Sequence, residues 1–262
     1  MNWSQIDGIA HVNATTPVVV NTPSAAALVA DIERRFKARE GFTVATLNLD
    51  HVVKLRTDEQ FRSAYARHSH VTADGNPIVW LSRLSGQKVE LAPGSDLVAP
   101  VAEIAARNDV PVALFGSTTA SLNAAADAMC ARFPGLRIVA QIAPPMGFDP
   151  TSVAADEMIE DLSASGARLV FLALGAPKQE IFAARAAQRL QDAGFLSIGA
   201  GLDFISGNQQ RAPALVRAVA AEWIWRMLSN PRRLARRYMG CLAILPSLTV
   251  SAMRQRGQSG GA

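Results

Sequence analysis

The sequence of 262 residues has only two cysteines and lacks several of the short motifs by which enzymes are recognised. Cys130 and Cys241 are far apart, so we expect two packing residues in a reducing cytoplasm and no disulfide scaffold. The chain contains no Gly-x-Gly-x-x-Gly fingerprint and no P-loop Gly-Lys-Ser/Thr, and no Gly-x-Ser-x-Gly elbow follows a predicted strand. These absences argue against a nicotinamide-dependent dehydrogenase, a P-loop enzyme and a serine hydrolase.

Metal-ligand patterns and membrane-crossing segments are also missing. The four histidines do not pair with cysteines or carboxylates at ligand spacing, and no Asp-x-Asp occurs, so we expect neither a metal nor another cofactor. The first residues predict no secretory signal. The uncharged stretch in the basic end, residues 238–253, has sixteen residues and contains Pro246. A spanning helix needs about 20 apolar residues, so this stretch predicts contact with a membrane surface at most.

Charge is distributed unevenly along the chain. The 26 basic and 22 acidic residues give a net charge of +4, but seven arginines and no acidic residue lie between Arg226 and the end. Without these seven, the rest has 19 basic and 22 acidic residues, or −3. A mildly acidic body with a basic end predicts an anionic partner there: phosphate, a membrane surface or nucleic acid.

The hydrophobic pattern predicts an α/β fold with a mostly parallel, Rossmann-like sheet flanked by helices. Hydrophobic residues make up 49% of the chain, enough for a large core. Continuous apolar runs, typical of strands buried on both faces, alternate with helical patterns, the first of which begins after Ser24 and ends before Gly41. The predicted buried strands are 42–49, 110–116, 136–143, 167–175 and 195–201. The predicted helices that follow are 120–133, 156–165 and 179–193.

This pattern divides the chain into four regions. We predict an irregular N-terminal arm (1–23), an α/β catalytic domain (24–210), a basic, membrane-associating helical appendage (211–253) and a disordered tail (254–262). In such sheets ligands bind beyond the carboxyl ends of the strands, so the residues that follow each run are the candidates for a site. They are polar or glycine-rich here: Asn48 with Asp50 and His51, Gly116–Thr119, Gly175–Glu180 and Gly199–Asp203.

Two of these strand ends are suited to binding substrate. Gly116 and the small polar residues after it open a helix, and helix N–H groups bind phosphate; an ordinary capped helix start is the equal alternative. Gly175-Ala-Pro-Lys-Gln-Glu presents Lys178, one of four lysines, together with Gln179. A solvated loop with Gln179 and Glu180 in a first helical turn is the simpler interpretation of that segment.

A third segment, Ala73-Asp74-Gly75, carries a candidate general base. Asp-Gly is usually a turn, and the spacing alone favours that interpretation. The flanking residues are apolar, however, and a carboxylate near the core could deprotonate a sugar hydroxyl, which typically accelerates a reaction by ~10²–10⁴.

The basic end combines tryptophans with arginines. Pro231 starts a new helix, in which Arg233 and Arg237 lie at near-helical spacing, and Arg226 precedes it. Arginine forks bind phosphate oxygens, and aromatic residues beside arginines are typical of helices at a lipid surface. A membrane or a diphosphate is favoured over nucleic acid, because the rest of the chain is acidic and has no nucleic-acid-binding module.

In their order along residues 42–238, these motifs resemble the WecG/TagA/CpsF glycosyltransferases, glycosyltransferase family 26. The last three motifs in this order are the most specific. The matching segments are Thr46-Leu-Asn48, Ala73-Asp74-Gly75, Gly94-Ser-Asp96-Leu, Pro134-Gly, Gly175-x-Pro-Lys-Gln-Glu180, Arg211-Ala-Pro and Glu222-Trp-x-x-Arg226.

The resemblance implies an inverting transferase that moves a sugar from a UDP-sugar to an undecaprenyl-diphosphate-linked monosaccharide, without a divalent metal. It would make surface or exopolysaccharide precursors as a peripheral enzyme on the cytoplasmic face of the inner membrane. By position, the resemblance assigns the base to Asp74 and pocket positions to Thr46 and Asn48, and it has Gln179 contact donor or acceptor. The appendage arginines, which would cover the pocket and touch the membrane, are Arg226, Arg233 and Arg236.

One departure and several alternatives remain at this stage. Leu91 stands where the family usually has an arginine, so contacts to the donor could differ here. N-acetylmannosamine, its uronic acid and glucose are all candidate donors, and self-association is open. A non-catalytic nucleotide-sugar-binding or scaffold subunit of a polysaccharide assembly complex is the alternative. The presence of Asp74 and Gln179 favours the enzyme, because a binding module needs no base.

Overall fold

A six-stranded parallel β-sheet forms the centre of the protein in the computed structural model, which describes residues 1–4, 17–205 and 231–259. The strands are β1 (Phe42–Leu47), β2 (His70–Ala73), β3 (Pro111–Gly116), β4 (Arg137–Ile142), β5 (Leu169–Ala173) and β6 (Gly194–Ser197). Their order is β2-β1-β6-β5-β3-β4, and every neighbouring pair is parallel. The predicted α/β, Rossmann-like fold is therefore confirmed.

Helices cover both faces of this sheet. They are α1 (Ala25–Ala38), α2 (Leu49–Thr57), α3 (Glu59–Ala66), α4 (Asn76–Leu84), α5 (Gly94–Arg107), α6 (Thr119–Arg132), α7 (Val153–Ala164), α8 (Lys178–Arg189), α9 (Gly201–Ile205) and α10 (Pro231–Ser259). Alternate strand residues point to opposite faces. Val44 and Phe171 accordingly pack in the core beneath α1, α5 and α6, whereas Phe115 and Phe195 pack beneath α7 and α8.

The predicted strands and helices differ from the structure mainly at the sheet edges. Strand β4 was expected to be buried, but its residues alternate between exposed and half-buried because it is the last strand of the order. The short strand β2 and helices α2 to α5 were not predicted. Two element boundaries also differ from the prediction. Strand β1 stops at Leu47, since Asn48 already caps a helix, and α1 ends at Ala38, two residues earlier than expected, with Arg39 as its C-cap in the left-handed conformation.

The N-terminal arm has no helix or strand in its described residues 1–4 and 17–23, but it is packed rather than loose. The side chain of Trp3 is fully buried, and the backbone N–H of Trp3 donates to the Val18 carbonyl over 2.7 Å. Asn21 accepts the Val71 N–H on its side-chain oxygen, also at 2.7 Å. The arm therefore covers the outer edge of β2, which explains why this edge strand is buried.

The C-terminal helix α10 packs against α2 and α4. Its first residue is Pro231, as predicted, and it continues to Ser259. Residues 254–259, which we expected to be disordered, are therefore helical; good helix formers such as Arg254 and Gln255 extend the preceding turns. Over the part of the chain that the structure covers, no helix combines the length and the hydrophobicity required to cross a membrane.

Candidate active site

The ends of β1 and β2 place the two best candidate residues side by side. Leu47 and Ala73 are register partners, and the Asp74 N–H donates to the Leu47 carbonyl over 2.7 Å. The next residue of β1 is Asn48, so an amide and a carboxylate 26 positions apart meet at the carboxyl edge of the sheet. This is the edge at which parallel sheets bind ligands.

Both polar atoms of the Asn48 amide are in use. Its Oδ1 accepts the His51 N–H at 3.0 Å, which caps α2, and its Nδ2 donates to Asp74 Oδ2 at 3.2 Å. The cap fixes which end of the amide faces the carboxylate. Asp74 is half-buried, and Gly75 with its φ of +103° turns the chain immediately into α4. The carboxylate is thus held by a donor while remaining partly open to solvent.

Thr46 and Leu91 lie close to this pair in the fold. Thr46 is buried on β1 opposite Thr72 of β2. Leu91 forms a backbone bridge with Ala73, the residue before Asp74, and its side chain is 44% exposed. The position at which the family usually has an arginine is therefore at the rim of the candidate site, and this protein has an exposed apolar side chain there.

Gln179 lies in the first turn of α8, the helix that follows β5, and is almost completely buried. Its Oε1 accepts the Gly199 N–H at 3.1 Å, and its Nε2 donates to Glu180 Oε1 at 2.8 Å. The amide therefore connects the loops that follow β5 and β6. The structure gives this predicted substrate contact a clear internal role; its contact with donor or acceptor stays a prediction.

Lys178 points to a different part of the same edge. It is half-buried and lines a cleft of about 330 Å³ together with Asp58, Asp149 and Phe148. None of Thr46, Asn48 and Asp74 lines this cleft. Lys178 is therefore not brought into direct contact with the Asn48–Asp74 pair.

The loop after β3 has the form of a capped helix start. Gly116 has a φ of +115°, and Ser117 donates its N–H to the Ala173 carbonyl at 3.1 Å. Thr118 caps α6 by accepting the Ser121 N–H on its side chain. Two N–H groups of this turn are thus already bonded within the protein, and phosphate binding at Gly116 stays a prediction.

An ion cluster lies on α2, one turn beyond Asn48. Lys54 Nζ is 2.8 Å from Asp50 Oδ2 and donates to the Ala176 carbonyl at 3.0 Å. Arg237 of α10 reaches the other oxygen of Asp50 at 2.9 Å. Asp50 and Lys54 of α2 therefore link the C-terminal helix to the loop that precedes α8, the helix on which Lys178 and Gln179 lie.

Buried polar side chains lie behind the site. His51 Nδ1 is 3.2 Å from the Tyr65 hydroxyl, and both residues are buried. Burial lowers the pKa of His51 to about 3 and raises the pKa of Tyr65 well above its usual value, and the charges of Glu180 and Asp74 raise the latter further. A histidine with so low a pKa is a weak base, the phenol stays protonated at neutral pH, and both side chains are buried, so neither is a better candidate base than Asp74.

The structure does not describe the side chains of the three arginines that were predicted to cover the pocket. Arg226 lies outside the described residues, and Arg233 and Arg236 lie in the first turns of α10, where their side chains are also outside the description. Within the described part of the chain, no group of histidine, cysteine and carboxylate side chains is arranged to hold a metal ion. Both cysteines are free thiols.

A carboxylate held by an amide at the carboxyl edge of a parallel sheet places a candidate proton acceptor where α/β proteins bind their ligands. The profile of the glycosyl transferase WecG/TagA/CpsF family matches residues 14–259, and the chain belongs to this family. It is therefore a glycosyltransferase, and the resemblance seen in the sequence is confirmed. Over 196 residues, 74% of each chain, it is 25% identical to the N-acetylglucosaminyldiphosphoundecaprenol N-acetyl-beta-D-mannosaminyltransferase of Bacillus spizizenii.

The sequence analysis counted Asp50 and Glu180 among the residues at strand ends but gave them no role, and it did not name Lys54. Glu180 could have been found from helical spacing, because the residues three and four positions on, Ala183 and Ala184, lie on the buried face of α8. The Asp50–Lys54 pair has the spacing of an ordinary surface ion pair. Only the tertiary contact with α10 distinguishes it.

Proposed function

We propose that this protein transfers a sugar from a UDP-sugar to a hydroxyl group of an undecaprenyl-diphosphate-linked monosaccharide, with inversion at the anomeric carbon. Asp74 is the general base of this reaction. The observation that carries the proposal is the hydrogen bond from Asn48 Nδ2 to Asp74 Oδ2, 3.2 Å long, at the carboxyl edge of the sheet in a member of a glycosyltransferase family.

Asp74 has the position that a base requires. Its backbone continues the β1–β2 ladder, its carboxylate is oriented by Asn48, and its side chain is half-buried, so that a substrate hydroxyl can approach it. A donor hydrogen bond favours the ionised carboxylate, which is the form that accepts a proton. Thr46 lies on β1, two residues before Asn48, and we assign it to the same substrate-binding site.

The reaction proceeds as a single displacement. Asp74 takes the proton of the acceptor hydroxyl while the oxygen of that hydroxyl forms a bond to the anomeric carbon. The bond from that carbon to the diphosphate oxygen breaks on the opposite face, and UDP leaves with the electron pair. One base and one leaving group on opposite faces give inversion, and no covalent sugar–enzyme intermediate forms.

The departing diphosphate carries negative charge, which needs stabilisation by cations or N–H groups. Lys178 at the first position of α8 supplies one cation, and the start of this helix adds the positive end of its dipole. The loop from Gly116 into α6 is the second candidate for contact with the phosphates. We assign the remaining positive charge to Arg226, Arg233 and Arg236 of the appendage.

The relative and helix α10 support the proposed acceptor and location. The Bacillus spizizenii relative is named for an undecaprenol-diphosphate-linked N-acetylglucosamine, and an acceptor of this class is anchored in lipid. Helix α10 exposes Met239, Leu242, Val250 and Met253 and carries arginines towards both ends. Apolar side chains flanked by arginines favour binding to an anionic membrane surface, here the cytoplasmic face of the inner membrane.

The test is a transfer assay with the full chain in vesicles that contain undecaprenyl-diphosphate-N-acetylglucosamine. UDP-N-acetylmannosamine is offered first, then its uronic acid and UDP-glucose; UDP release and the mass of the lipid product are measured. We expect Asp74→Asn to lower kcat by about 10²-fold or more with little change in donor affinity, whereas Asp127→Asn, an exposed aspartate on α6, is active. Wild-type turnover in Asp74→Asn, or no product from any donor, would refute the proposal.

A further inference from the structure

A second carboxyl group lies near the candidate site, and it is completely buried. Glu180 is 0% exposed in the first turn of α8, a helix of 12 residues. Its Oε1 accepts a hydrogen bond from Gln179 Nε2 at 2.8 Å, while its Oε2 has no hydrogen-bond partner among the described residues. Burying a carboxyl group with an unpaired oxygen destabilises the fold, so stability alone does not explain this residue.

The carboxyl group determines which way the Gln179 amide faces. With Nε2 bound to Glu180, Oε1 is left to accept the Gly199 N–H at 3.1 Å. Gly199 has a φ of +55° in the turn between β6 and α9. A chain of two hydrogen bonds thus runs from Glu180 through Gln179 to the backbone of the neighbouring strand end. Rotation of the Gln179 amide by half a turn would place its oxygen against Glu180 Oε1, an acceptor against an acceptor. It would also place its nitrogen against the Gly199 N–H, a donor against a donor.

Charged and titratable groups of the adjacent elements face Glu180. The charge of Lys54 on α2 lowers the pKa of Glu180, and the charge of Asp50 on the same helix raises it. The charges of Glu180 and Asp74 in turn raise the pKa of Tyr65 on α3. Burial is the largest effect and raises the pKa of the Glu180 carboxyl to about 7, although the bond from Gln179 lowers it. The group therefore changes its protonation state near neutral pH.

We propose that Glu180 is a positioning residue for the transfer reaction: it orients the Gln179 amide, which in turn holds the Gly199 turn at the carboxyl edge of the sheet. The inference rests on the proposed function. An ionised carboxylate accepts a stronger hydrogen bond than a protonated one, so the turn is held more firmly when Glu180 is charged. Activity consequently increases as the pH rises through about 7.

Two variants of the full chain separate positioning from mere packing. Glu180→Gln keeps a carbonyl that accepts from Gln179, so we expect kcat close to that of the wild type, with the rise of kcat/KM near pH 7 absent. Glu180→Met removes the acceptor and fills the space, so we expect kcat to fall by about tenfold or more. The melting temperature of Glu180→Met should change little, since the loss of a buried unpaired oxygen offsets the unpaired Gln179 Nε2 that the variant creates. Glu160→Gln, an exposed glutamate on α7, is the control.

Amide hydrogen exchange of Gly199, followed by NMR, is a readout that does not depend on activity. We expect exchange to be about tenfold faster in Glu180→Met and unchanged in Glu180→Gln. Unchanged exchange in Glu180→Met, or faster exchange with wild-type kcat, overturns the proposal. If Glu180→Met fails to fold, Glu180→Gln still tests the proposal. A rise of kcat/KM near pH 7 that persists in this variant also overturns the proposal. An inactive wild type with the expected Gly199 exchange refutes the proposed function alone.

Discussion

The Nε atom of Arg237 lies 2.9 Å from Oδ1 of Asp50, and this ion pair joins the C-terminal helix to the helix that Asn48 caps. Asp50 is mostly buried and also binds Lys54, whose ammonium holds the Ala176 carbonyl. The position of α10 is therefore coupled to the loop before α8. A basic helix that rests on lipid would be held in a fixed relation to the strand ends.

The first prediction concerns this link. Because Arg237 is partly exposed, we expect Asp50→Asn and Arg237→Gln each to weaken docking of α10, with a coupling energy of about 0.5–1 kcal/mol in the double-mutant cycle. Hydrogen exchange of α10 measures the docking, and turnover on vesicles reports its effect on catalysis. Arg256→Gln, on the exposed end of α10, serves as the control. Additive effects of the two substitutions would show that the pair is not coupled.

The second prediction isolates the donor hydrogen bond of Asn48 from its role as a cap. Asn48→Ser keeps a side-chain oxygen for the His51 N–H but is too short to reach Asp74. We expect unchanged stability and a kcat about tenfold lower, because the base is no longer oriented. Ser24→Ala, which removes the cap of α1, should instead cost about 1 kcal/mol of unfolding free energy and leave kcat unchanged. Equal kcat values for the two variants would contradict the role given to Asn48.

The sequence allowed the sheet to be predicted because its inner strands are buried on both faces and therefore read as continuous apolar runs. Strand β2 was missed because it has only four residues, His70–Ala73, and begins with a histidine. The burial of β4 was wrong because burial depends on strand order, which an isolated apolar run does not contain. Sequence spacing likewise carries no information about which strand ends become neighbours.

The candidate site was predictable to a different extent for each residue. Asn48 and Asp74 follow strand ends, and their positions agree with the rule that parallel sheets bind ligands there. Lys178 and Gln179 are adjacent in sequence, yet one lines an open cleft and the other is buried, because successive helical residues are about 100° apart. The role proposed for Glu180 depends on its connection through Gln179 to Gly199, in the turn after β6. No local sequence pattern reveals this connection.

The third prediction tests the turn at the end of β3. A Cβ atom on Gly116 would lie 2.5 Å from the Ala173 carbonyl oxygen, and the φ of +115° is unfavourable for alanine. We expect Gly116→Ala to lower the free energy of unfolding by about 2–4 kcal/mol. Gly166→Ala, with a φ of +69° and no atom within 4 Å of the added Cβ, should cost only about 1 kcal/mol. Urea unfolding measures both; similar losses would mean that close packing at Gly116 is unimportant.

The fourth prediction concerns acid stability. Burial lowers the pKa of His68 to about 4, although its bond to the Ala64 carbonyl opposes the shift. The unfolded chain, with a histidine pKa near 6.5, therefore binds more protons, and the folded state loses stability as the pH falls from about 6.5 to about 4. This loss is on the order of 3 kcal/mol for His68 alone. His68→Leu should flatten the dependence of unfolding free energy on pH in this range; an equally steep curve would contradict the assignment.

The last prediction concerns the exposed apolar stripe on α10, formed by Met239, Leu242, Val250 and Met253. Their spacing of three, eight and three residues places them on one face of the helix, opposite Ile244 and Leu248, which are buried against the body. Transfer of this face into the lipid interface would add apolar burial to the attraction between arginines and anionic headgroups. The stripe, rather than the arginines alone, then determines affinity at high salt, because salt screens only the charges.

Replacing all four residues by serine should therefore reduce co-sedimentation with anionic vesicles by about tenfold or more at high salt. Val153→Ser, which alters an equally exposed apolar residue on α7, should bind vesicles like the wild type. Because the stripe faces away from the body, turnover of a short-chain acceptor in solution should be preserved in the quadruple variant. Undiminished vesicle binding by this variant would mean that another surface contacts the membrane. Loss of turnover in solution would mean instead that this face of α10 serves the catalytic domain directly.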